Sequence, residues 1–318
     1  MVAADLDVTV DLARALLAEQ HPDLLARGGL AVAAHGWDNV MLRLGDHLAV
    51  RLPRRAAAAH LVEHEQRALP ALAARLAATG VTVPAPVRVG RPSASLGYPW
   101  AWSVVPWVDG VAAEATPVAA RTAWAPAFGA FLAALHVPDG AAGAPDNPFR
   151  GVALAQRPEA RDPDRLAERL AAVPARWRAG VLRAWRAAVA APAHAGPPVW
   201  LHGDPHPANL VVAPGHRGAA GGAADRLVAV VDFGDVTAGD PASDLGELWL
   251  TFDAAGRARC RAVVDARADG GRGWDAATWT RARGWAVLYA ASMVAHPDEH
   301  PRLVPVGEHA LRELAAAA

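Results

Sequence analysis

The chain has 318 residues, 53% of them hydrophobic, and a formal net charge of −1 at pH 7. That is enough apolar material for one large domain or two lobes, and a charge so near zero excludes a global basic field for nucleic acid. All 31 positive charges are Arg, so no lysine ammonium is available for catalysis or phosphate binding, and Arg must take any such task.

The single cysteine, Cys260, permits no intrachain disulfide, which fits a reducing cytoplasm. The acidic start, with Asp5 and Asp7, lacks a signal-peptide pattern. No apolar run approaches the roughly 20 residues that span a bilayer. A soluble, cytoplasmic protein without membrane or nucleic-acid partners is expected.

The first elements alternate quickly. Asp11 to Gln20 reads as an amphipathic helix capped by Thr9 or Asp11. Leu30–Ala34, Asn39–Leu44 and His47–Leu52 read as three antiparallel strands, joined by a turn at His35–Asp38 and a hairpin at Gly45-Asp46. A helix follows from about Ala57 to Leu69, and Pro70 opens a second one to Ala78. Val87–Val89 and Trp102–Val105 read as two more strands, giving a five-stranded sheet with one principal helix inserted.

After residues 106–110 the character changes. Thr116 to His136 is expected as one long helix whose stripe of Trp124, Phe128, Phe131, Leu132 and Leu135 forms core. Asp139 to Gly151 reads as loop, and Asp164–Ala172 and Pro174–Ala190 as helices. Ala213 to Asp225, rich in Gly and Ala, reads as a solvated hairpin loop. Pro241–Leu250, Ala258–Ala268, Asp275–Ala295 and Val306–Ala317 complete a helical second half. The pattern predicts an α+β protein with two lobes, residues 1–105 and 111–318, a hinge at 106–110, and a ligand cleft between them.

The informative chemistry lies in the second half. An apolar run, Val199–Leu201, leads into His202-Gly203-Asp204 and, five residues after the Asp, Asn209. Another run, Leu227–Val231, ends in Asp232-Phe233-Gly234-Asp235. Short strands of one small sheet would deliver Asp204, Asn209 and Asp232 to the same end. Phosphoryl transfer needs positioning and charge neutralisation more than covalent chemistry. A carboxylate must orient an incoming hydroxyl and accept its proton, a task for Asp204. A hard cation takes a few protein oxygens and leaves the rest of its shell to phosphates and water, a task for Asn209 and Asp232. Each short motif alone is weak; the joint spacing is specific.

These segments resemble the aminoglycoside phosphotransferase family of the protein-kinase-like fold. His202 to Asn209 is similar to its catalytic loop and Val231 to Asp235 to its metal-binding segment. Gly239-Asp240-Pro241-Ala242-Ser243-Asp244-Leu245 resembles its Asp-Pro-x-x-Asp-Leu segment, and Gly36–Asn39, Arg51–Arg54 and Glu65–Arg67 resemble N-terminal pieces of bacterial members. The resemblance implies a bilobal fold with a five-stranded antiparallel N-lobe, and a kinase that uses magnesium (Mg2+) and ATP or GTP to phosphorylate a small hydroxylated acceptor, an antibiotic among the candidates. It makes Asp204 the base and Asn209 and Asp232 the magnesium ligands. His202 and Asp244 brace the loop. Arg51 takes the place of the kinase lysine at the nucleotide phosphates, with Glu65 holding it. Gly36 lies at the phosphate turn, and Pro106 and Val108 meet the nucleotide base through the backbone.

Two features depart from the family pattern. Arg at position 51 presents a planar fork instead of a point charge. Only Gly36 serves the phosphate turn, so backbone cradling there is limited. A nucleotide-binding module without turnover stays open as the alternative. A protein kinase fits less well, because Asp232 is followed almost at once by Asp240-Pro241 with no Ala-Pro-Glu segment. From Thr251 onward nine Arg face eight acids, so no acidic excess marks a polycation site. Trp249, Trp274, Trp279 and Trp285 are candidates for an acceptor pocket, with core the expected role for most.

Overall fold

A computed structural model describes residues 4–215 and 224–316. The chain forms two compact units, Met1–Ala74 with Thr82–Asp109, and Arg75–Val81 with Gly110–Ala318. The short segment 75–81 groups with the second unit, where Arg75 donates to the Asp139 carboxylate at 2.6 Å.

The first unit is built on β1 (Leu30–His35), β2 (Asn39–Leu44), β3 (Leu48–Pro53), β4 (Arg88–Gly90) and β5 (Trp102–Pro106), with α1 (Val10–Gln20) and α2 (Ala56–Leu76). The five strands form one sheet, ordered β1-β2-β3-β5-β4, with every pairing antiparallel. Thr9 caps α1 by accepting the Leu12 N–H at 3.1 Å. Leu16 and Leu17 of α1 are buried in one apolar cluster with Val40, Leu42, Val50, Leu52 and Trp102, which seats that helix on the sheet.

The second unit carries three strands in one small sheet, ordered β6 (Val111–Ala112), β8 (Leu210–Ala213), β9 (Arg226–Val230), and a separate pair, β7 (Val199–Leu201) with β10 (Thr237–Gly239). Its helices are α3 (Val118–Arg121), α4 (Ala125–Leu135), α5 (Pro158–Arg161), α6 (Pro163–Arg169), α7 (Ala175–Ala190), α8 (Ala242–Leu245), α9 (Leu248–Thr251), α10 (Ala254–Arg267), α11 (Ala276–Ala295) and α12 (Val304–Ala316). The expected stripe is core: Trp124, Phe128, Phe131, Leu132 and Leu135 are all buried, and Trp124 and Phe128 pack on Phe252 at 4.9 and 6.2 Å between ring centres.

Four expectations change. Pro70 does not start a new helix; α2 runs through it, because burial of Leu69, Leu72 and Leu76 outweighs one missing hydrogen bond. The long helix at 116–136 is instead α3 and α4, broken at 122–124, since Pro126 has no N–H to continue the ladder and suits a first turn. Pro241–Leu250 divides into α8 and α9, where N–H groups of Glu247, Trp249 and Leu250 bond three residues back in place of four. The strands before Asp204 and Asp232 do not share a sheet: β7 pairs with β10, and β9 with β8. The loop expected over Ala213–Asp225 falls largely on residues 216–223, outside the described residues, as does the end of the last helix at Ala317.

Candidate functional site

In the first unit, Arg51 stands on β3 between Met41 and Ser103 of the neighbouring strands. Its Nη1 lies 3.0 Å from Oε1 of Glu65 on α2, with both side chains buried. The next residue, Gln66, fixes the helix to the sheet by donating to the Trp102 carbonyl at 2.9 Å and to Ser103 Oγ at 3.0 Å. Gly36 closes the β1–β2 turn by donating to the Asn39 carbonyl at 2.8 Å. Pro106 ends β5 opposite Leu48, and Trp107 donates to the His47 carbonyl at 2.8 Å just before Val108.

In the second unit, β7 ends at Leu201 and the chain turns sharply. Gly203 adopts φ +92°, and a β-carbon there would collide with the carbonyl of Asp235. The turn is held from behind by Asp244. Its Oδ2 accepts the His202 N–H at 2.8 Å and His136 Nε2 at 3.1 Å, and its Oδ1 accepts the Gly203 N–H at 3.0 Å. Burial alone would raise this carboxyl. The hydrogen bond and charge of His136, with help from His202, bring it below the ordinary range. His202 and Asp244, the two residues expected to brace the loop, are thus hydrogen-bonded to each other through the His202 N–H.

His202 is fully buried and bonded at both ring nitrogens. Nδ1 accepts the Asp204 N–H at 3.2 Å, which leaves Nε2 to donate to the Val231 carbonyl at 3.0 Å. Burial holds its pKa below the usual histidine value, so the neutral ring is favoured. One ring therefore ties the Asp204 loop to the residue before Asp232. Asn209 ties it again: its Nδ2 donates to the Asp204 carbonyl at 2.9 Å, and its own carbonyl accepts the Val231 N–H at 2.9 Å. Asp232 then sits at φ +63°, in the left-handed region that a non-glycine residue seldom adopts. The strands lie in different sheets, yet His202 and Asn209 bring Asp204, Asn209 and Asp232 together.

The donor set fits a hard cation. The Asn209 amide nitrogen donates to the Asp204 carbonyl, which leaves the amide oxygen as the side-chain atom it could offer a cation. One neutral and one anionic oxygen suit magnesium, which completes its shell with phosphate and water. Among the described residues no cluster of three or more His, Cys, Asp or Glu forms a protein-only metal cage.

Three residues that the sequence reading did not single out join this cluster: Asn147, Arg150 and Glu247. Nη2 of Arg150 lies 2.7 Å from Oδ1 of Asp204. Asn147 donates to the Asp235 carboxylate at 2.8 Å, and burial raises the Asp235 pKa, with Arg150 opposing. Glu247 is buried with neither carboxylate oxygen hydrogen-bonded, and burial, then the charge of Asp204, pushes its pKa well above the ordinary value. Asn147 and Arg150 lay in a stretch that Pro148 and Gly151 mark only as a turn. Glu247 could have been found: with Asp244 it places two acids three residues apart in an otherwise apolar run. Asp240 accepts the Ala242 N–H at 3.0 Å. It also forms a buried two-point pair with Arg281, at 2.6 and 3.1 Å.

The tryptophans divide. Trp285 is core, stacked on Tyr289 at 5.6 Å. Trp249 and Trp279 line a cavity of about 360 Å³ with Arg257, Arg261 and Arg283.

Solved structures share this fold over nearly their whole length. The GDP complex of aminoglycoside 2′-phosphotransferase-IIIa superposes with a TM-score of 0.65 at 17% identity, covering 98% of this chain and 99% of that one. The macrolide 2′-phosphotransferase of Brachybacterium faecium gives 0.52 at 23% identity, covering 96% and 97%. A macrolide 2′-phosphotransferase type I gives 0.54 at 20%, covering 99% and 98%. At such identities the likeness establishes the protein-kinase-like α+β fold. No curated protein matches the chain. The model of the phosphotransferase enzyme family matches residues 29–285, most of the chain, and the protein belongs to that family.

Proposed function

We propose that the protein is a small-molecule kinase that moves the γ-phosphate of ATP or GTP to a hydroxyl of an antibiotic-like or metabolite acceptor. The observation that supports this most is the loop from His202 to Asn209. It presents Asp204 at its tip and is anchored by the buried Asp244 at two successive backbone N–H groups.

In this reading Asp204 receives the acceptor hydroxyl, orients it and takes its proton. General-base assistance of this kind contributes about 10²–10⁴-fold. Asn209 and Asp232 would hold magnesium, which when bound neutralises charge on the phosphates. His202 and Asp244 keep the loop from shifting, since catalysis by positioning fails when the reacting groups move by an ångström. Residues 1–105 form the nucleotide lobe in this proposal. Arg51, braced by Glu65, contacts the nucleotide phosphates, Gly36 lies at the phosphate turn, and the backbone of Pro106 to Val108 meets the base. Residues 111–318 supply the acceptor site. Among the described residues no helix is long and apolar enough to cross a membrane.

Structural neighbours have been solved as GDP, kanamycin and streptomycin complexes of their own proteins. Those ligands set the first compounds to try. The test is a phosphorylation screen by mass spectrometry with ATP and GTP, with aminoglycosides, macrolides, sugars and amino alcohols as acceptors. A mass gain of one phosphate on an acceptor supports the proposal. Nucleotide-induced thermal stabilisation without product across the panel opposes it.

A further inference from the structure

Asp204 has one carboxylate oxygen already engaged. Arg150 holds Oδ1 at 2.7 Å, while Oδ2 lies 3.5 Å from His206 Nε2. Arg150 is itself fixed at both ends. At its backbone, Asn147 Oδ1 accepts the N–H groups of Phe149 at 2.9 Å and Arg150 at 3.2 Å, and the Gly151 carbonyl accepts the Asp240 N–H at 2.9 Å. At its tip, the guanidinium lies over the Tyr289 ring at 4.8 Å, and the Tyr289 hydroxyl is hydrogen-bonded to Ser243 at 2.8 Å. Segments around 147, 204, 240 and 289 converge to place one arginine on one oxygen.

A surface ion pair contributes roughly 0–1 kcal/mol to stability and needs no such apparatus. So elaborate a support for Arg150 points to a task other than stability. Orientation is what it supplies. The transition state of phosphoryl transfer is loose, and positioning matters more there than proton affinity. A carboxylate free to turn offers two equivalent oxygens; one pinned by a charge-assisted hydrogen bond offers a single oxygen in a set direction.

We infer that Arg150 is a positioning residue for phosphoryl transfer, clamping Oδ1 of Asp204 so that Oδ2 alone receives the acceptor's proton. The inference rests on the proposed role of Asp204. In the step, the acceptor O–H bond breaks and its proton goes to Oδ2. The acceptor oxygen bonds to the γ-phosphorus, the bridging P–O bond breaks, and the nucleoside diphosphate leaves with that electron pair.

The test is steady-state kinetics on the full chain for wild type, Asp204→Asn, Arg150→Lys and Arg150→Met, at a temperature well below each unfolding midpoint. Wild type and Asp204→Asn establish the base first. If wild type transfers phosphate and Asp204→Asn does not, the base stands on its own. Arg150→Met is then expected to lower kcat by about 100-fold, the scale of an ångström of misplacement, with KM for nucleotide and acceptor unchanged. Arg150→Lys, which keeps the charge without the planar fork, is expected to recover part of kcat. An Arg150→Met variant with unchanged kcat overturns the inference and leaves the base intact. So does a raised KM at constant kcat, which would make Arg150 a ligand-binding residue. If wild type and Asp204→Asn transfer phosphate equally, the reading beneath it fails.

Discussion

Asp244 and His136 meet in full burial, Oδ2 to Nε2 at 3.1 Å, and the same carboxylate holds the backbone of the His202–Asn209 loop. One acid thus connects a helix end, a buried histidine and the loop that carries Asp204. Asp244→Asn would set an NH2 group where backbone N–H groups now donate. The expected loss is about 1–3 kcal/mol of unfolding free energy, the scale for leaving buried donors without their acceptor, read by urea denaturation.

Acid should weaken the same node. The Asp244 carboxyl is held below its ordinary value of 3.8, so its contribution is present above that pH and is lost as pH falls through the lower folded value. Burial holds His202 below 6.5, so its contribution is likewise present above 6.5 and declines as pH falls below it. The unfolding midpoint of wild type should therefore fall on the acid side, and Asp244→Asn should lose the lower part of that dependence.

The Arg51–Glu65 pair makes a separate prediction in the first unit. Both side chains are buried and 3.0 Å apart, so Glu65→Gln leaves a guanidinium without its carboxylate. A destabilisation of about 3 kcal/mol is expected, along with a raised KM for nucleotide. Arg51→Lys should show the smaller loss in denaturation, since it retains the charge opposite Glu65 and gives up only the planar guanidinium.

Glu247 predicts the opposite sign. Its carboxyl is raised well above 4.5 by burial and by Asp204, so folding takes up a proton there. Stability is unaffected below about pH 4.5, where the unfolded chain is protonated as well, and falls as pH rises toward the folded pKa. Glu247→Gln removes that loss. A gain on the order of 1–3 kcal/mol at neutral pH is expected, shrinking toward pH 4. Calorimetry of both proteins across pH checks it, and a variant less stable than wild type at pH 7 contradicts it.

Short-range pattern made much of this legible. The hairpin at Gly45-Asp46 and the alternating burial of Val40, Leu42 and Leu44 specify the antiparallel sheet before any tertiary contact is known. The spacing of Asp204, Asn209 and Asp232 carried the candidate site, because a short loop and two strands leave few ways to place them. What was not legible depends on distant partners. Pro70 and Pro126 are equally good helix starters in sequence, and only burial around Leu69 and Leu72 separates the proline that α2 absorbs from the one that opens α4. The pairing of β7 with Thr237–Gly239, a strand of three small or polar residues, has no apolar pattern to announce it. Arg150 reaches Asp204 across 54 residues from a loop, a distance over which periodicity carries no information.

The central claim is that Asp204 serves as the base for an acceptor hydroxyl. The most direct measurement compares wild type with Asp204→Asn, a substitution of nearly equal size, in a mass-spectrometric assay of acceptor phosphorylation with ATP or GTP and magnesium. Wild type is expected to yield a phosphorylated acceptor, and the variant to lose about 10²–10⁴-fold in turnover with the unfolding midpoint little changed. An Asp204→Asn protein that phosphorylates the acceptor at the wild-type rate would contradict it.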